Sequence, residues 1–285
     1  MKAVNTIAIV GVGLIGGSVG LAVRGRGLAR HVVGVGHRAA SLRKARRVGA
    51  VTETSVDLAK GVADAQLVVV CTPVDLIAEH VRAVAAACPP GSLITDAGST
   101  KGDIVGRLNR QLGGGDARGV RFVGSHPMAG GEKTGPEQAR ADLYEGRPVV
   151  VTPTRRTRKE DLRQISDFWR ALGGRVVSMS PAEHDRAVAA TSHLPHLIAA
   201  VLAGSLPEER LPLASSGFAD TTRVAAGDVD LWREILLGNG PNVLKSLARF
   251  EKLLASFRRA IERGDAGKLT RLLEEAKRKR DAVGS

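Results

Sequence analysis

Thr6-Ile-Ala-Ile-Val-Gly-Val-Gly-Leu-Ile-Gly-Gly-Ser18 is the stretch whose reading decides the fold. A β-branched apolar run predicts a strand that stops at Gly11, and Gly13 and Gly16 complete the spacing G-x-G-x-x-G. The segment Gly17 to Val23 is compatible with a helix, so the order is strand, turn, helix. That is the context a dinucleotide-binding fingerprint requires. The first glycine permits a tight turn, the second lets the backbone approach a pyrophosphate, and the third lets the helix pack close to the strand. The phosphates then sit on unpaired N–H groups at the helix N-terminus. In a chain with 34 glycines the spacing alone is weak; its position directly after a clean strand carries the reading. Gly11, Gly13, Leu14, Ile15 and Gly16 are the candidate cofactor contacts in this turn.

Moving outward, Val32 to Val35 reads as the second strand, and its end bears on the cofactor. The fingerprint expects Asp or Glu about 20 residues past the glycines, holding the ribose hydroxyls. Here the sequence is Gly34-Val-Gly-His-Arg-Ala-Ala-Ser41, with no acid. His37 and Arg38 stand in that place, and an arginine there suits a 2′-phosphate. NADP is therefore favoured over NAD; the bland alternative is that Arg38 is a solvated first-turn residue. Ser41 to Val48 reads as a helix, and Asp64 to Pro73 as a buried parallel strand. Cys71, Thr72 and Pro73 fall at its carboxyl end, where ligands bind in open α/β sheets, and Thr72 and Pro73 are further cofactor candidates. Cys71 reads as a packed residue, with no base evident beside it.

Asp75 to Ala87 reads as a helix stopped by Pro89-Pro-Gly91, and Ser92 to Thr95 as a short strand. Asp96-Ala-Gly-Ser-Thr-Lys101 then opens a helix running to about Leu112. Ser99, Thr100 and Lys101 are either a capped helix start or a hydroxyl and a cation placed beside a nicotinamide. A loop is expected over Gly113 to Gly119. Beyond it comes Gly124-Ser-His-Pro-Met-Ala-Gly-Gly131. An imidazole followed by proline, at a strand end and flanked by glycines, is placed to meet a substrate. With an ordinary pKa near 6.5, His126 is the natural general base there, although a lone histidine is more often structural.

Composition narrows the class. At 285 residues, two domains are expected, and 43% hydrophobic residues supply a core. Two cysteines, Cys71 and Cys88, argue against a disulfide framework or a cysteine-rich metal site, and no metal is expected. The N-terminus runs straight into the first strand without a basic–apolar leader. The longest apolar runs read as broken short of a membrane span. A soluble cytoplasmic protein is expected. The net charge of +13 is scattered, and aromatics are only 3%. With no stacking platform or base-reading motif, nucleic acid is not an expected partner; electrostatic steering of an anionic substrate and cofactor is the more useful reading.

The second half reads as helical. Glu160 to Leu172 is amphipathic, Arg175 to Ser178 a short strand, and His184 to Ala203 long and largely apolar. A helix of that kind needs burial on more than one side. Leu231 to Leu237 and Val243 to Ile261 continue the pattern, and Lys268 to Arg280 ends it as a charged, solvated helix with Glu–Lys pairs.

Gly11–Ser18, Thr72-Pro-Val74, Asp96–Lys101 and Ser125-His-Pro-Met-Ala-Gly130 together resemble the prephenate and arogenate dehydrogenase family of tyrosine biosynthesis. Pro148–Pro153 resembles that family's last strand before its helical domain. Glu183-His-Asp185 and Thr191-Ser-His-Leu-Pro-His196 resemble its first long helix. Ser216-Gly-Phe-Ala-Asp-Thr-Thr-Arg223 resembles its most diagnostic motif, with Ser216 where glycine is commoner; Trp232 and Asn239 stand where later motif residues stand. The resemblance covers essentially the whole chain, leaving no segment for a fused mutase or a C-terminal regulatory domain. It implies an α/β fold in which a Rossmann-type, parallel-sheet dinucleotide-binding domain (1–155) precedes an all-helical substrate-binding and dimerisation domain (156–285). A homodimer is implied with it.

The resemblance also implies the chemistry. Hydride leaves the carbinol carbon of a cyclohexadienol for the nicotinamide, and loss of the ring carboxylate as carbon dioxide aromatises the product. His126 takes the base role at the ring hydroxyl, and Ser99 shares that hydrogen bond. Arg223 fits a carboxylate clamp, since its guanidinium fork matches a carboxylate bidentately. His196 is the better candidate for the substrate side chain. His193 and Asp220 either touch substrate or serve helix packing and orientation of Arg223, and Ser216 is a further substrate-side candidate. The substrate is prephenate, with arogenate as the alternative. A β-hydroxyacid dehydrogenase would need a lysine in the helix His184 to Ala203, which has none. A non-catalytic NADPH sensor would not need His126, Ser99 and Arg223 together.

Overall fold

The computed structural model describes residues 4–112, 115–131 and 133–283, so the first two residues of the loop expected from Gly113 lie outside the described part. The apolar run at the start forms β1 (Val4–Val10), and the glycine turn leads into α1 (Leu14–Gly25). Then follow β2 (Ala29–Val35), α2 (Ala39–Arg47), β3 (Glu53–Ser55), α3 (Leu58–Val62), β4 (Leu67–Val70), α4 (Ile77–Ala87), β5 (Leu93–Asp96), α5 (Gly102–Leu112) and β6 (Arg121–Phe122). The strands make one parallel sheet in the order β3-β2-β1-β4-β5-β6. Successive side chains of a strand point to opposite faces, and both faces are covered. Ile7, Ile9 and Val69 pack with Val19, Val23 and Trp169 on one side. Ala8, Val10, Val68 and Val70 pack with Val81, Ile94 and Leu108 on the other. Near-continuous β-branched runs are what a doubly covered parallel sheet demands.

The chain order reverses between β1 and β4: β2 and β3 extend one way, β5 and β6 the other. Ligands bind beyond the carboxyl ends of the strands at such a switch point. Beside it lies a second sheet in the order β7-β8-β9. Strand β7 (Gly124–Pro127) runs antiparallel to β8 (Pro148–Thr152), and β8 parallel to β9 (Arg175–Ser178) across the crossover helix α6 (Lys159–Ala171). Strand β8 is thus not the last before the helical region. The β-branched pair Val176-Val177 registers against Val149 and Val150, which carries the sheet layer to Ser178. The junction expected at 155/156 falls between β8 and α6. Trp169 of α6 locks this layer, donating its indole N–H to Ser125 Oγ at 2.9 Å.

Helix α7 (Pro181–Val188) opens with a capping box at Ser180 and Glu183. It runs through a π-helical turn, Ala189–His193, into α8 (Leu194–Gly204). Because the π-turn does not interrupt the rod, Pro181–Gly204 is a continuous helix of 24 residues, long and apolar enough by length and composition to cross a membrane. This corrects the expectation that every apolar run stops short of a span. The same helix carries the buried polar side chains His184, Asp185, His193 and His196, which make it a wall of a polar site. Helices α9 (Ser216–Thr222) and α10 (Val229–Gly238) follow.

By its contacts the chain divides into two compact units, Met1–Asn239 and Gly240–Ser285. The second consists of α11 (Gly240–Glu262) and α12 (Ala266–Val283) joined by a turn at Gly264. The charged end of α12 pairs Lys279 with Glu275 and Lys277 with Asp281 at one-turn spacing, as the sequence leads one to expect.

Candidate active site

A cavity of about 860 Å³ opens at the switch point. Its floor is the glycine turn. Gly11 has φ +92°, and a Cβ there would stand 2.7 Å from the Cys71 carbonyl oxygen; a Cβ on Gly16 would stand 2.1 Å from the Gly11 oxygen. Neither position tolerates a side chain. A Cβ on Gly13 would meet nothing within 4 Å, so the open cradle lies above the middle glycine, where a pyrophosphate approaches the backbone. Gly13, Leu14 and Ile15 line the cavity together with Cys71 to Leu76 from the end of β4 and Ala97 to Ser99 from the end of β5. The segment after β7 folds back over α1: Tyr144 Oη donates to the Ile15 carbonyl at 2.6 Å and the Arg140 N–H to Ser18 Oγ at 2.9 Å. These residues fit a dinucleotide.

His126 reaches the cavity from β7. The strand is pinned by Asp96, whose Oδ1 accepts the Ser125 N–H at 3.0 Å and whose Oδ2 accepts the Gly98 N–H at 2.9 Å. Behind the imidazole, His126 Nδ1 lies 2.8 Å from His184 Nε2, and His184 Nδ1 lies 2.8 Å from Asp185 Oδ1. The carboxylate of Asp185 accepts the N–H groups of Lys101 and Gly102, each at 2.8 Å. Those amides open α5, so the carboxylate also meets the positive end of a helix dipole. Hydrogen bonds from His184 and the two amides hold the Asp185 carboxyl below its ordinary value against the opposing effect of burial. Burial is the first cause that holds His126 well below 6.5, with the neighbouring His184 and Lys101 adding to it; burial lowers His184 in the same direction. Neutral imidazoles facing an ionised carboxylate are the result.

A second imidazole, His193, lines the same cavity. Its Nδ1 lies 3.2 Å from Asn239 Nδ2, which also donates to the Asp185 carbonyl at 2.7 Å. The π-turn makes this meeting possible. Eight residues of regular helix rotate by about 800°, or some 80° past two turns; a π-turn absorbs about one residue, leaving Asp185 and His193 within roughly 20° of one face. Pro195 lies just beyond it: with no N–H and a ring that clashes with the carbonyl four residues back, it disfavours continuous α-helix there.

Of the residues expected at the site, Gly13, Leu14, Ile15, Thr72, Pro73, Ser99, His126 and His193 converge on this cavity, while Gly11 and Gly16 shape the turn beneath it. The order expected for the two helix histidines is reversed within this chain. His193 lines the cavity; His196 is stacked on Trp232 with ring centroids 3.5 Å apart, and its buried Nδ1 has no hydrogen-bond partner among the described residues. Ser216 and Arg223 lie on exposed surface outside the lining, as do His37 and Arg38, where Arg38 Nε donates to His37 Nε2 at 2.9 Å. Lys101 is not a cation beside the cofactor: its side chain is fully buried and its ammonium pairs with Asp96. Burial and the Asp96 carboxylate push the Cys71 thiol far up, in keeping with a packed residue. Sequence reasoning gave no role to His184, Asp185 or Asn239. The motif Glu183-His-Asp185 was the available signal, but its meaning depends on a partner 58 residues away.

A glycine-cradled cavity at the switch point of a parallel sheet, lined by a neutral buried imidazole, defines an oxidoreductase that takes a dinucleotide. The sequence relationships agree and narrow it: residues 19–178 match the prephenate dehydrogenase nucleotide-binding domain, and residues 180–275 the prephenate dehydrogenase dimerization domain. The chain belongs to the prephenate dehydrogenase family, enzymes of tyrosine biosynthesis. It is 32% identical to prephenate dehydrogenase of Bacillus subtilis, over 98% of this chain and 76% of that one. It is similar to the Aquifex aeolicus prephenate dehydrogenase solved with hydroxyphenyl propionate and NAD+, with TM-score 0.89 and 33% identity over 99% of both chains. It also resembles Synechocystis arogenate dehydrogenase, with TM-score 0.81 and 31% identity over 98% of this chain and 99% of that one.

Proposed function

We propose that this enzyme oxidises prephenate to 4-hydroxyphenylpyruvate with NADP as the preferred cofactor, with His126 as the base at the ring hydroxyl. The observation that carries this reading is His126 in the cavity wall, neutral and backed by the His184–Asp185 pair. A bound nicotinamide supplies the hydride acceptor. His126 accepts the hydroxyl proton through Nε2, and Ser99, on the turn before α5, hydrogen-bonds the same hydroxyl. His193 meets the substrate from the helical wall. Arg223 is the carboxylate clamp; exposed on its own chain, it acts in the assembled dimer, with Ser216 and His196 on the same side of the substrate. Arg38, steadied by His37, faces the 2′-phosphate, because no acid follows β2 to hold a ribose hydroxyl.

A cytoplasmic homodimer completes the reading. The match to a dimerization domain supports it, and so does the surface. Among the described residues only Val56 and Leu76 of the exposed large apolar side chains precede residue 180. A second reading, arogenate as substrate, is favoured by Asp228, Asp230 and Glu234 in the cavity lining, since carboxylates suit the ammonium that replaces the keto group. Asp228 already caps α10, and Asp230 and Glu234 pair with Arg233, so prephenate is the first choice.

The experiment is a set of initial rates with NADP and NAD, each with prephenate and with arogenate. The expected result is turnover of prephenate, faster at limiting NADP than at limiting NAD. Preference for arogenate would replace the substrate, preference for NAD would retire the role of Arg38, and a folded protein that turns over neither would contradict the reading.

A further inference from the structure

The hydrogen bonds behind the cavity fix which nitrogen of each imidazole carries its proton. Ionised Asp185 can only accept, so His184 Nδ1 carries a hydrogen and its Nε2, in the neutral ring, keeps a lone pair. His126 Nδ1 must then donate to it, at 2.8 Å. The nitrogen left to His126 is Nε2 with its lone pair. The second imidazole is set the other way. Asn239 Nδ2 faces the Asp185 carbonyl, which can only accept, so this atom is the amide nitrogen and not the oxygen. It therefore donates to His193 Nδ1 as well, and the hydrogen of neutral His193 sits on Nε2.

We propose that His184, Asp185 and Asn239 are positioning residues that wire the two cavity imidazoles with opposite polarity, His126 as acceptor and His193 as donor. The inference rests on the dehydrogenase reading for its chemical meaning. The acceptor takes the proton of the reacting hydroxyl. As it does so, the Nδ1 proton of His126 can shift to His184 Nε2, leaving the positive charge on His184 beside the Asp185 carboxylate. The donor offers its N–H to an oxygen of the substrate, a carboxylate or a carbonyl. One carboxylate and one amide, both outside the cavity, thus assign a base and a hydrogen-bond donor to two chemically identical side chains. Asp185 is shared between the two arms, through its carboxylate on one and its carbonyl on the other.

The test reads the tautomers directly, by long-range 1H–15N spectra of the full-length protein labelled with 15N-histidine at neutral pH. Signals are assigned by loss in His126→Asn and His193→Asn. The expected result is the Nδ1–H form for His126 and the Nε2–H form for His193. The opposite form at either ring overturns the proposal. A second arm uses Asp185→Asn and His184→Gln. One amide oxygen cannot satisfy the three donors that Asp185 accepts; in Asp185→Asn, a side-chain NH2 turned to His184 reverses the chain and places the hydrogen of His126 on Nε2. The expected loss in kcat is about 10²- to 10⁴-fold, with a smaller change in KM. His184→Gln keeps an acceptor for His126 Nδ1–H, so the His126 tautomer is retained. A folded Asp185→Asn protein in which the His126 tautomer is unchanged also overturns the proposal. Because the tautomers are read without substrate, failure of the wiring is separable from failure of the substrate assignment.

Discussion

At the scale of single residues, the site is governed by the cost of charging buried imidazoles. Burial holds His193 down from 6.5 to about 4. Between those values the unfolded chain binds a proton that the folded chain does not. The stability this represents is fully present above pH 6.5 and is lost as the pH falls towards 4, at up to about 1.4 kcal/mol per pH unit for one group. His126, His184 and His196 are lowered in the same direction. The melting temperature should therefore fall steeply as pH drops from 6.5 to 4, less so in His193→Asn; a wild-type Tm that is flat over that window would contradict the buried neutral rings. At the far end of β2, Arg38→Ala should raise KM for NADP with little change for NAD, and equal effects on the two cofactors would argue against a 2′-phosphate contact. His126, Ser99 and the glycine turn are legible from sequence because each sits in a local motif whose geometry travels with it. The His184–Asp185–Asn239 network is not, because it joins residues 58 and 54 positions apart, and its role emerges only when α7 packs on β7 and α5.

At the scale of elements, the parallel sheet follows from its β-branched runs, and each strand expected in the first 130 residues is present. Two features escape periodicity. One is the π-turn of Ala189–His193, where a proline and one absorbed residue re-aim a helix face. The other is the pairing of β9: the strand itself is expected at Arg175–Ser178, but not that it extends the second sheet by running parallel to β8 beyond α6. Helix α6 steadies β7 through the Trp169–Ser125 bond. Trp169→Phe keeps most of the apolar volume and removes that bond, so a loss of about 1–2 kcal/mol is expected from chemical denaturation. A fall in kcat should accompany it, because Ser125 precedes His126, the proposed base; unchanged stability and rate would show that the bond does not hold the strand.

At the scale of the whole molecule, the exposed apolar side chains gather in the helical region. On α8, Val201 is 60% exposed, an expensive arrangement in water unless another surface covers it. Sedimentation should give a dimer of the 29.9 kDa chain. Val201→Asp, which sets a charge in that face, should shift the equilibrium toward monomer and lower activity with it. A fully active wild-type monomer would contradict the need for a second subunit. The long apolar helix calls for burial on more than one side, and the homodimer is what the family resemblance implies; which residues a second chain would bring to the cavity is a property of the pair of chains, beyond any local motif.

The most direct measurement of the central claim is the kcat of His126→Asn against wild type on prephenate, with cofactor binding followed separately by fluorescence. Loss of the base predicts a fall of about 10²- to 10⁴-fold in kcat with cofactor affinity retained. A folded variant that binds cofactor and turns over within a few-fold of wild type would contradict the assignment of His126 as the base.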